Sequence, residues 1–278
     1  MVNIITDSTS DLGPEIAAEF KLTIVPLTVT IGDKVYQDGV DLHQRDLFSL
    51  VEKHGELPKT SAPSMGEFTK AFDHPGENVF IGISSRLSAT VQNARLALDL
   101  LPAGKVRVID SLNLSTGVGL LALRAAELRD RGLAAEQIEQ ELLASVGKVR
   151  TSFCIETMEY LYKGGRCTAL QAIAGSVLKI HPIIEVRPDG TLGVKERSRG
   201  TLRKGLQMIL DDFENHLTVL DRQRVFITTT SNNAEDVNFL LEGVKRISAP
   251  QEVRITRAGS VISSHCGPGT TGILYFVK

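Results

Sequence analysis

The sequence of 278 residues has no tryptophan, few other aromatic residues and only three cysteines. Aromatic residues make up 5% and the formal net charge is -2, so the chain lacks both the stacking platforms and the basic surface typical of nucleic-acid-binding proteins. The cysteines, Cys154, Cys167 and Cys266, are an odd number without CxxC spacing, which disfavours a disulfide framework and a zinc site. Reduced thiols are typical of the cytoplasm, and this is the location that we expect.

Long apolar segments and familiar catalytic motifs are also missing. No apolar run approaches the roughly 20 residues that a membrane-spanning helix needs, and no basic segment followed by an apolar run marks a secretory signal. The motifs GxxxxGK[ST], HExxH and GxSxG are absent, which excludes the usual P-loop, zincin and hydrolase signatures. The six histidines are scattered, and we expect neither a metal site nor a cofactor.

The remaining composition is that of a folded globular chain. Apolar residues make up 42% and charged residues 23%, and the length suits two modest domains or one large α/β unit. β-rich runs at the start of the chain and at 22–31, 79–83 and 106–110 alternate with helical patterns. This alternation predicts a mostly parallel sheet in an N-terminal domain, 1–150. Pro26 interrupts the second run, which indicates an edge strand or a bend.

Two helices of the first half are predicted from their apolar spacing. Residues 87–101 carry one apolar stripe at spacings of three and four, and 115–131 form a second helical pattern that Gly132 closes. The segment GVGLLA (117–122) matches GxGxxA, but the preceding strand ends near Asp110, so both glycines fall inside the helix. We therefore expect close helix packing at these glycines and not a dinucleotide site.

After about residue 150 the pattern becomes that of an α+β domain, 151–278. The expected elements are a strand at 151–155, a glycine break at 161–166, a helix at 170–180, a hairpin with its turn at 188–190, a strand RVFITTTS, a helix at 234–247, and final strands VRITRAG and TGILYFVK. The predicted fold class is therefore α/β, with a parallel-sheet N-terminal domain and an α+β C-terminal domain.

Hydroxyl-bearing residues crowd the segments that follow four β-runs. These segments are TDSTS (6–10), SSRLSAT (84–90), DSLNLST (110–116) and TTTS (228–231). The carboxyl ends of parallel strands meet at one sheet edge, where open α/β sheets bind ligands. Capping of the next helix is the simpler explanation for Ser115 and Ser231. In SSRLSAT one cap, Ser88, suffices, and the surplus hydroxyls with the free amides of a helix start favour an anion-binding pocket.

Two further segments offer partners for an anion. Thr60, Ser61 and Ser64 lie on KTSAPS, a proline-stiffened loop, and His265 stands beside the Gly-Pro-Gly turn of SSHCGPGTTG. A structural and a functional interpretation of His265 are both open. Arg166, in KGGR, is either a source of positive charge or an ordinary surface residue.

An enzyme is the alternative to a binding protein. Ser88 or Ser8, with His265 and an aspartate such as Asp7, would make a hydrolase or acyltransferase site for a lipid-like ester. Against this, serines far outnumber plausible bases, and any chain of this length offers many Ser/His/Asp combinations.

Taken together, these segments resemble those of the DegV family of bacterial fatty-acid-binding proteins. The matching stretches run in family order along almost the whole chain: ITDSTSDL (5–12), VPLTV (25–29), YQDGVD (36–41), PKTSAPS (58–64), SSRLSAT (84–90), VRVIDS (106–111), LYKGGR (161–166), LKIHPII (178–184) and HCGPGTTGI (265–273). The resemblance implies the same two-domain fold, with a long-chain fatty acid buried in a pocket between the domains.

The resemblance also implies which residues hold the fatty acid carboxylate. Carried onto this sequence, they are Thr60, Ser61, Ser88, Ala89, Thr90 and His265, with Arg166 and Gly267 in support. A protonated His265 would add positive charge. The family usually has glycine where Ala89 stands and glutamine where Ala62 stands, and the methyl group of Ala89 restricts the approach of the carboxylate to the backbone.

The resemblance further implies a partner, a fatty acid kinase that phosphorylates the bound carboxylate. The chain itself would then be a carrier with no catalytic residue. Because the sequence shows no interface signature, we expect a monomer. Within the basic stretch 195–204, Arg199 is the closest match to the arginine that assists the kinase, and Arg203 and Lys204 lie beside it.

Overall fold

The computed structural model describes residues 2–168 and 180–278 of the chain. The helix predicted at 170–180 lies outside these residues except for Ile180, which belongs to a strand.

The described residues form thirteen named strands and ten named α-helices. The strands are β1 (Asn3–Asp7), β2 (Leu22–Val25), β3 (Thr28–Ile31), β4 (Lys34–Gln37), β5 (Lys59–Ser61), β6 (Asn78–Gly82), β7 (Val106–Asp110), β8 (Val149–Cys154), β9 (Ile180–Val186), β10 (Leu192–Arg199), β11 (Leu220–Thr229), β12 (Glu252–Arg257) and β13 (Thr271–Val277). The helices are α1 (Gly13–Glu19), α2 (Gln44–His54), α3 (Met65–Ala71), α4 (Thr90–Ala97), α5 (Thr116–Asp130), α6 (Ala135–Val146), α7 (Glu159–Lys163), α8 (Leu202–Asn215), α9 (Ala234–Ser248) and α10 (Ser260–Cys266).

The first half is built on a four-stranded sheet in the order β2-β1-β6-β7, and every neighbouring pair in it is parallel. This confirms the predicted parallel sheet. Pro14 lies in the first turn of α1, where the amide hydrogen that proline lacks has no partner within the helix. The apolar pattern at 87–101 is shorter as a helix than predicted, because α4 begins at Thr90 and a 3-10 turn, Leu98–Leu100, follows it.

The run 22–31 is not one strand. β2 ends at Val25 on the edge of the parallel sheet, and after Pro26 the chain enters β3 of a separate antiparallel sheet in the order β4-β3-β5. Proline has no amide hydrogen to donate to a ladder, which fits the break. This small sheet was not predicted, and it covers a cluster that includes Val29, Ile31 and Leu47.

The second half is built on a six-stranded mixed sheet in the order β10-β9-β8-β13-β11-β12. Only β11 and β12 are parallel, and the other neighbours are antiparallel. The predicted hairpin is confirmed as β9 and β10. Its turn places Gly190 at φ +83, a conformation in which glycine is favoured. The predicted α+β architecture of this half is therefore confirmed.

Helix α5 lies between the two large sheets and packs on β1 and β6 of one and on β8 and β13 of the other. It is buried along most of its length, which is typical of a helix that is apolar all round. One hydrophobic cluster accordingly contains Ile4 and Val79 of the parallel sheet together with Phe153 and Leu274 of the mixed sheet. The domain boundary near residue 150 stays a prediction.

The glycines of GVGLLA lie inside α5, as predicted. A Cβ on Gly119 would lie 2.9 Å from the carbonyl oxygen of Ser10 and 2.7 Å from Cδ2 of Leu12. Such distances are too short for a side chain, so this glycine permits the close approach of α5 to the segment after β1. The packing interpretation of GVGLLA is confirmed.

We expect Gly119→Ala to lower the free energy of unfolding by about 1 to 3 kcal/mol, because the added methyl group overpacks a buried contact. The measurement is urea unfolding followed by circular dichroism. Gly66→Ala is the matched control: it is also a helical glycine, and its Cβ would meet only the Ser64 hydroxyl at 4.0 Å. It should leave stability unchanged or raise it by up to about 1 kcal/mol. Equal effects of the two substitutions would contradict the packing role.

Candidate functional site

The hydroxyl-rich segments that follow β1, β6 and β7 meet at the carboxyl edge of the parallel sheet. The Asp7 carboxylate accepts the amide of Ile83 at 2.9 Å, and the amide of Ser84 donates to the Asn113 carbonyl at 2.8 Å. The TTTS segment of the mixed sheet also reaches this region, because the hydroxyls of Thr116 and Thr228 are 2.6 Å apart. The predicted gathering of these segments is confirmed.

Within SSRLSAT, the hydroxyls of Ser88 and Thr90 form a pair at the mouth of α4. Their oxygens are 2.8 Å apart, and the Ser88 oxygen also accepts the Thr90 amide at 3.3 Å. Ser88 is half-buried, Thr90 is buried and Ala89 is exposed. The hydroxyl of Ser84 instead donates to the Gly190 carbonyl at 2.8 Å, so it ties the β9–β10 turn to this loop.

Thr60 and His265 form a second polar pair. Thr60 lies on β5 and not on a loop, and its Oγ1 is 2.8 Å from Nε2 of His265, which is near the end of α10. Neighbouring residues of a strand point to opposite faces, so the side chain of Ser61 points away from this contact, and Ser61 is exposed. Ser64 belongs to the next helix, where it forms a capping box with Glu67.

Two side chains bring these segments together. The Asn93 amide group, on α4, donates to the Pro63 carbonyl at 2.8 Å and so links SSRLSAT to the TSAPS segment. Arg166 donates to the Leu87 carbonyl at 3.3 Å and to the Gly164 carbonyl at 2.6 Å. In residues 2–168 and 180–278, no hydrogen bond joins the two polar pairs directly. We call Thr60, Ser88, Thr90 and His265 the head-group site.

His265 is a neutral imidazole at pH 7. Its burial, with a smaller contribution from the nearby Arg166 charge, lowers the pKa of His265 to about 4. The interpretation of His265 as a protonated group is therefore wrong for this structure. Its Nδ1 is buried and has no hydrogen-bond partner in the described part of the chain. A Cβ on Gly164 would lie 2.6 Å from this atom, so the KGGR glycine makes room for the ring.

Gly267 follows His265 in a left-handed conformation, at φ +74. A Cβ at this position would lie 2.9 Å from the ring of Tyr160, so the backbone passes close to α7. The predicted Gly-Pro-Gly turn is therefore a place of close approach, here towards an aromatic ring of the chain itself.

A cavity of about 30 Å³ lies between the two halves, next to the head-group site. We call it the interface cavity. Its walls come from the segment that precedes α5, from β8, from β11 and β13 with the residues beside them, and from α10 and the residue before Gly259. The lining residues are Leu114, Ser115, Thr151, Phe153, Thr228, Thr229, Thr230, Ala258, Ile262, Cys266, Thr270, Gly272 and Leu274.

The hydroxyl groups around the interface cavity are bonded to protein partners. Thr151 donates to the Asn113 side chain at 2.8 Å, Ser115 to Asp11 at 2.6 Å, and Thr270 to the Cys266 carbonyl at 2.8 Å. The threonine hydroxyls of TTTS are hydrogen-bonded as well. Thr228 bonds to Thr116 and Thr256, Thr229 to Thr271 and the Thr270 carbonyl, and Thr230 to the Gly267 carbonyl. With these hydroxyls already engaged, the cavity has an apolar character despite its six hydroxyl residues.

Three capping predictions are wrong. Ser115 precedes α5 but makes no side-chain cap, because its hydroxyl is bonded to Asp11. Ser231 lies before α9, but the cap of that helix is Asn233, whose side chain accepts the Glu235 amide. Ser88 does not cap α4, because the N-cap of that helix is Ala89 and it has no side-chain cap bond. All three serines therefore have tertiary or local contacts where a helix cap was expected.

The hydrolase alternative lacks its geometry in the described residues. His265 is bonded to Thr60 and to neither serine. The Ser8 oxygen accepts the Leu27 amide at 3.0 Å, and Asp7 is engaged by Thr9 and Ile83. No Ser–His pair is formed at this site in the part of the chain that the structure describes.

The basic stretch 195–204 spans the end of β10, a glycine turn and the first turn of α8. Arg199 and Lys204 are exposed. Arg203 is engaged by α9, because its guanidinium is 3.3 Å from Asp236 and lies 4.4 Å from the centre of the Phe239 ring. Arg203 therefore has a structural partner, whereas Arg199 and Lys204 present their charge to solvent.

Across residues 2–168 and 180–278, no group of three or more His, Cys, Asp and Glu side chains is placed to hold a metal ion. None of the helices in those ranges has the length and apolarity required to cross a membrane.

Three buried carboxylates near the head-group site were not predicted as a group. Asp7, Asp11 and Asp38 are all buried, and burial raises the pKa of each, that of Asp7 to about 6. Asp11 and Asp38 contact the start of α10. The segments ITDSTSDL and YQDGVD contain them, but the sequence offers no sign that these acids meet a helix more than two hundred residues away.

Comparison with known proteins identifies relatives along the whole chain. A family model described as "Uncharacterised protein, DegV family" matches residues 1–278. A DegV domain-containing protein of Deinococcus radiodurans is 34% identical over 276 residues, covering 98% of this chain and 97% of the relative. A solved structure described as the fatty acid binding of a DegV family protein from Thermus thermophilus is 30% identical, with a TM-score of 0.91 and coverage of 100% and 99%.

A solved structure of the Streptococcus pneumoniae Fatty Acid Kinase (Fak) B3 protein, loaded with linoleic acid, is 23% identical, with a TM-score of 0.88 and full coverage of both chains. At 23% identity, this similarity is evidence for a shared fold alone.

We expect NMR titration of the His265 imidazole to give a pKa near 4 in the wild-type protein. Arg166→Gln should raise this pKa, because removing the nearby positive charge lowers the free-energy cost of protonating the ring. Arg95→Gln, which removes an exposed charge of α4, is the matched control and should leave the pKa unchanged. A wild-type His265 that titrates near the ordinary value of about 6.5 would contradict the buried, neutral state.

Proposed function

Because the chain belongs to the DegV family over its whole length, we propose that it binds a long-chain fatty acid and acts as its carrier. In this proposal the carboxylate lies at the head-group site and the acyl tail enters the interface cavity. The proposal also keeps Ser61 and Ala89 as carboxylate contacts, and Arg166 and Gly267 as supporting residues, as the resemblance implies. The fatty acid binding of the Thermus thermophilus relative supports the proposal.

The observation that carries the proposal is the position of α10. Ile262 and Cys266 of this helix line the interface cavity, and His265 of the same helix contacts Thr60. A ligand with a polar head and an apolar tail would thus meet two suitable surfaces on adjacent faces of one helix. A fatty acid is such a ligand.

The carboxylate would be held by neutral donors. The Nε2–H tautomer of His265 would donate to Thr60 Oγ1, which leaves the Thr60 hydroxyl hydrogen free to donate to the carboxylate. The Ser88–Thr90 pair and the amides at the start of α4 supply further donors next to a positive helix end. Hydrogen bonds of this kind offset the cost of taking a carboxylate out of water.

Burial of the tail supplies the favourable free energy. Each buried methylene contributes about 0.8 kcal/mol, so a tail of roughly 14 methylenes gains on the order of 11 kcal/mol before the costs of association. A cavity of about 30 Å³ has room for little more than one water molecule. The tail would therefore have to push the cavity walls apart as it enters.

We expect Thr60→Val to weaken fatty acid binding by about tenfold, because the substitution removes one hydroxyl donor to a charged group while keeping the shape of the side chain. His265→Ala should have at least the same effect, since the Thr60 hydroxyl loses its orienting partner. Binding is measured by titration with a fluorescent long-chain fatty acid and by mass spectrometry of extracts from the purified protein.

The matched control for the binding experiment is Thr69→Val. The Thr69 hydroxyl donates to the Met65 carbonyl within α3 and has no place in the head-group site. Its binding constant should equal that of the wild type. Unchanged affinity in both Thr60→Val and His265→Ala would refute the head-group site, and a wild-type protein that binds no fatty acid would refute the function.

We further propose that the bound carboxylate is presented to a fatty acid kinase, in the cytoplasm and by a monomeric carrier. Phosphoryl transfer needs a cradle for the nucleotide and its magnesium ion, and the sequence contains no familiar motif for one. A carrier that depends on a partner enzyme fits this composition. Arg199 and Lys204, which are exposed, are the candidate kinase contacts, and Arg203, which lies on α8 and is bonded to α9, supports them.

We expect Arg199→Gln to lower the rate of acyl phosphate formation by about tenfold, equivalent to about 1.4 kcal/mol, while fatty acid retention stays unchanged. The assay combines the loaded carrier, a purified bacterial fatty acid kinase and magnesium ATP. Arg222→Gln removes an exposed arginine of β11 and is the control. If Arg199→Gln supports the kinase as well as Arg222→Gln does, the proposed contact is wrong.

A further inference from the structure

Helix α10 is a wall shared by two sites. Ala258, Ile262 and Cys266 are spaced by four residues and line the interface cavity, while His265 reaches Thr60 of β5. A shift or rotation of this helix would therefore move the cavity wall and the head-group site together.

Helix α10 has only seven residues, so it is too short to be stable by its own hydrogen bonds. The first amides of any helix lack partners within the helix. Here two carboxylates bond to them: the Gly259 amide donates to Asp11 at 2.8 Å, and the Ser260 amide donates to Asp38 at 2.7 Å. The Ser260 hydroxyl donates to the same Asp38 oxygen at 2.6 Å.

The start of α10 packs so closely against the two carboxylates that position 259 has no room for a side chain. A Cβ on Gly259 would lie 2.9 Å from one Asp38 oxygen, 3.1 Å from the other, and 3.2 Å from an Asp11 oxygen. Asp11 follows β1 and Asp38 follows β4, so both acids belong to the first half of the chain and hold a helix of the second half. The second oxygen of Asp11 is occupied by the Ser115 hydroxyl, at the edge of the interface cavity.

Stability alone does not account for these acids. Both are buried, neither forms an ion pair within residues 2–168 and 180–278, and one oxygen of Asp38 has no hydrogen-bond partner there. Their charge is compensated by amides and by the positive end of α10. Burial raises the pKa of Asp38 and of Asp11, which means that the ionised carboxylates make the fold less stable at neutral pH.

We propose that Asp38 and Asp11 are positioning residues for the head-group site: they hold the first amides of α10 and thereby set the reach of His265 towards Thr60. The consequence for ligand affinity rests on the proposed function, whereas the placement of His265 does not. The ligand whose binding benefits is a carboxylate, because the hydrogen-bond donors of the head-group site are oriented before it arrives.

The test compares Asp38→Asn, Asp38→Ala and the matched control Asp236→Asn. Asp236 is another buried acid, but its bonds go to Asn233 and Arg203 and not to α10 or the head-group site. For each protein, three quantities are measured: the pKa of His265 by NMR, the dissociation constant for cis-parinaric acid by fluorescence, and the thermal unfolding midpoint.

We expect Asp38→Ala to raise the dissociation constant about tenfold, because bonds to a charged acceptor are lost. Asp38→Asn keeps one acceptor oxygen and should raise the dissociation constant about threefold, since charge-assisted bonds are about twice as strong as neutral ones. In both variants the pKa of His265 should rise, as a loosened α10 admits water to the ring. Asp38→Asn should unfold at the wild-type temperature or above, and Asp236→Asn should keep the wild-type affinity and His265 pKa.

The proposal is overturned if Asp38→Asn, and Asp38→Ala where it folds, keep the wild-type pKa of His265 and the wild-type dissociation constant. A fall in the unfolding midpoint alone would then mark the acids as purely structural. If the wild-type protein does not bind cis-parinaric acid, the proposed function fails, but the His265 titration still decides whether Asp38 positions the imidazole.

Discussion

A helix that is buried along most of its length must fit two neighbours at once, and α5 does so between the parallel and the mixed sheet. The small residues of its first turns allow this, because the segment after β1 approaches Gly119 more closely than any side chain would permit. The same contact brings the carboxyl edge of the parallel sheet against β11 of the mixed sheet, where Thr116 meets Thr228. The interface cavity and the head-group site both lie at that junction.

The predicted parts of the fold are those that depend on local pattern. Short apolar runs predicted β1, β6 and β7, and the apolar sequence of α5 predicted a buried helix. The small antiparallel sheet was missed because β4 is largely exposed and β5 has three residues, so neither has a clear alternation. Contacts such as Thr60 with His265 are set by tertiary folding over about two hundred residues, and the sequence indicated them only through its resemblance to a family.

The hydroxyl-rich segments differ in whether their side chains are free to contact a ligand. Surplus hydroxyls at the start of α4 were interpreted as ligand donors, and Ser88 with Thr90 remains available for that role. In TTTS the same residue types are turned towards protein partners. Residue type alone does not distinguish the two cases, because the difference lies in which acceptors the fold brings near. A neutral His265 adds to this picture: under the proposed function, the head-group site would hold a carboxylate through oriented donors and not through a buried cation.

The threonine-rich wall of the interface cavity has a mechanical consequence. Its hydroxyls are bonded on the side away from the cavity, so the two faces of the wall touch through apolar groups. Parting such faces forfeits dispersion contacts of about 0.1 to 0.2 kcal/mol per atom pair. The hydrogen bonds Thr116–Thr228 and Asn113–Thr151, which cross between the halves, stay in place if the opening is confined to the apolar side of the wall. The cavity can therefore widen gradually, by small steps of similar cost, while the polar framework behind it keeps its shape.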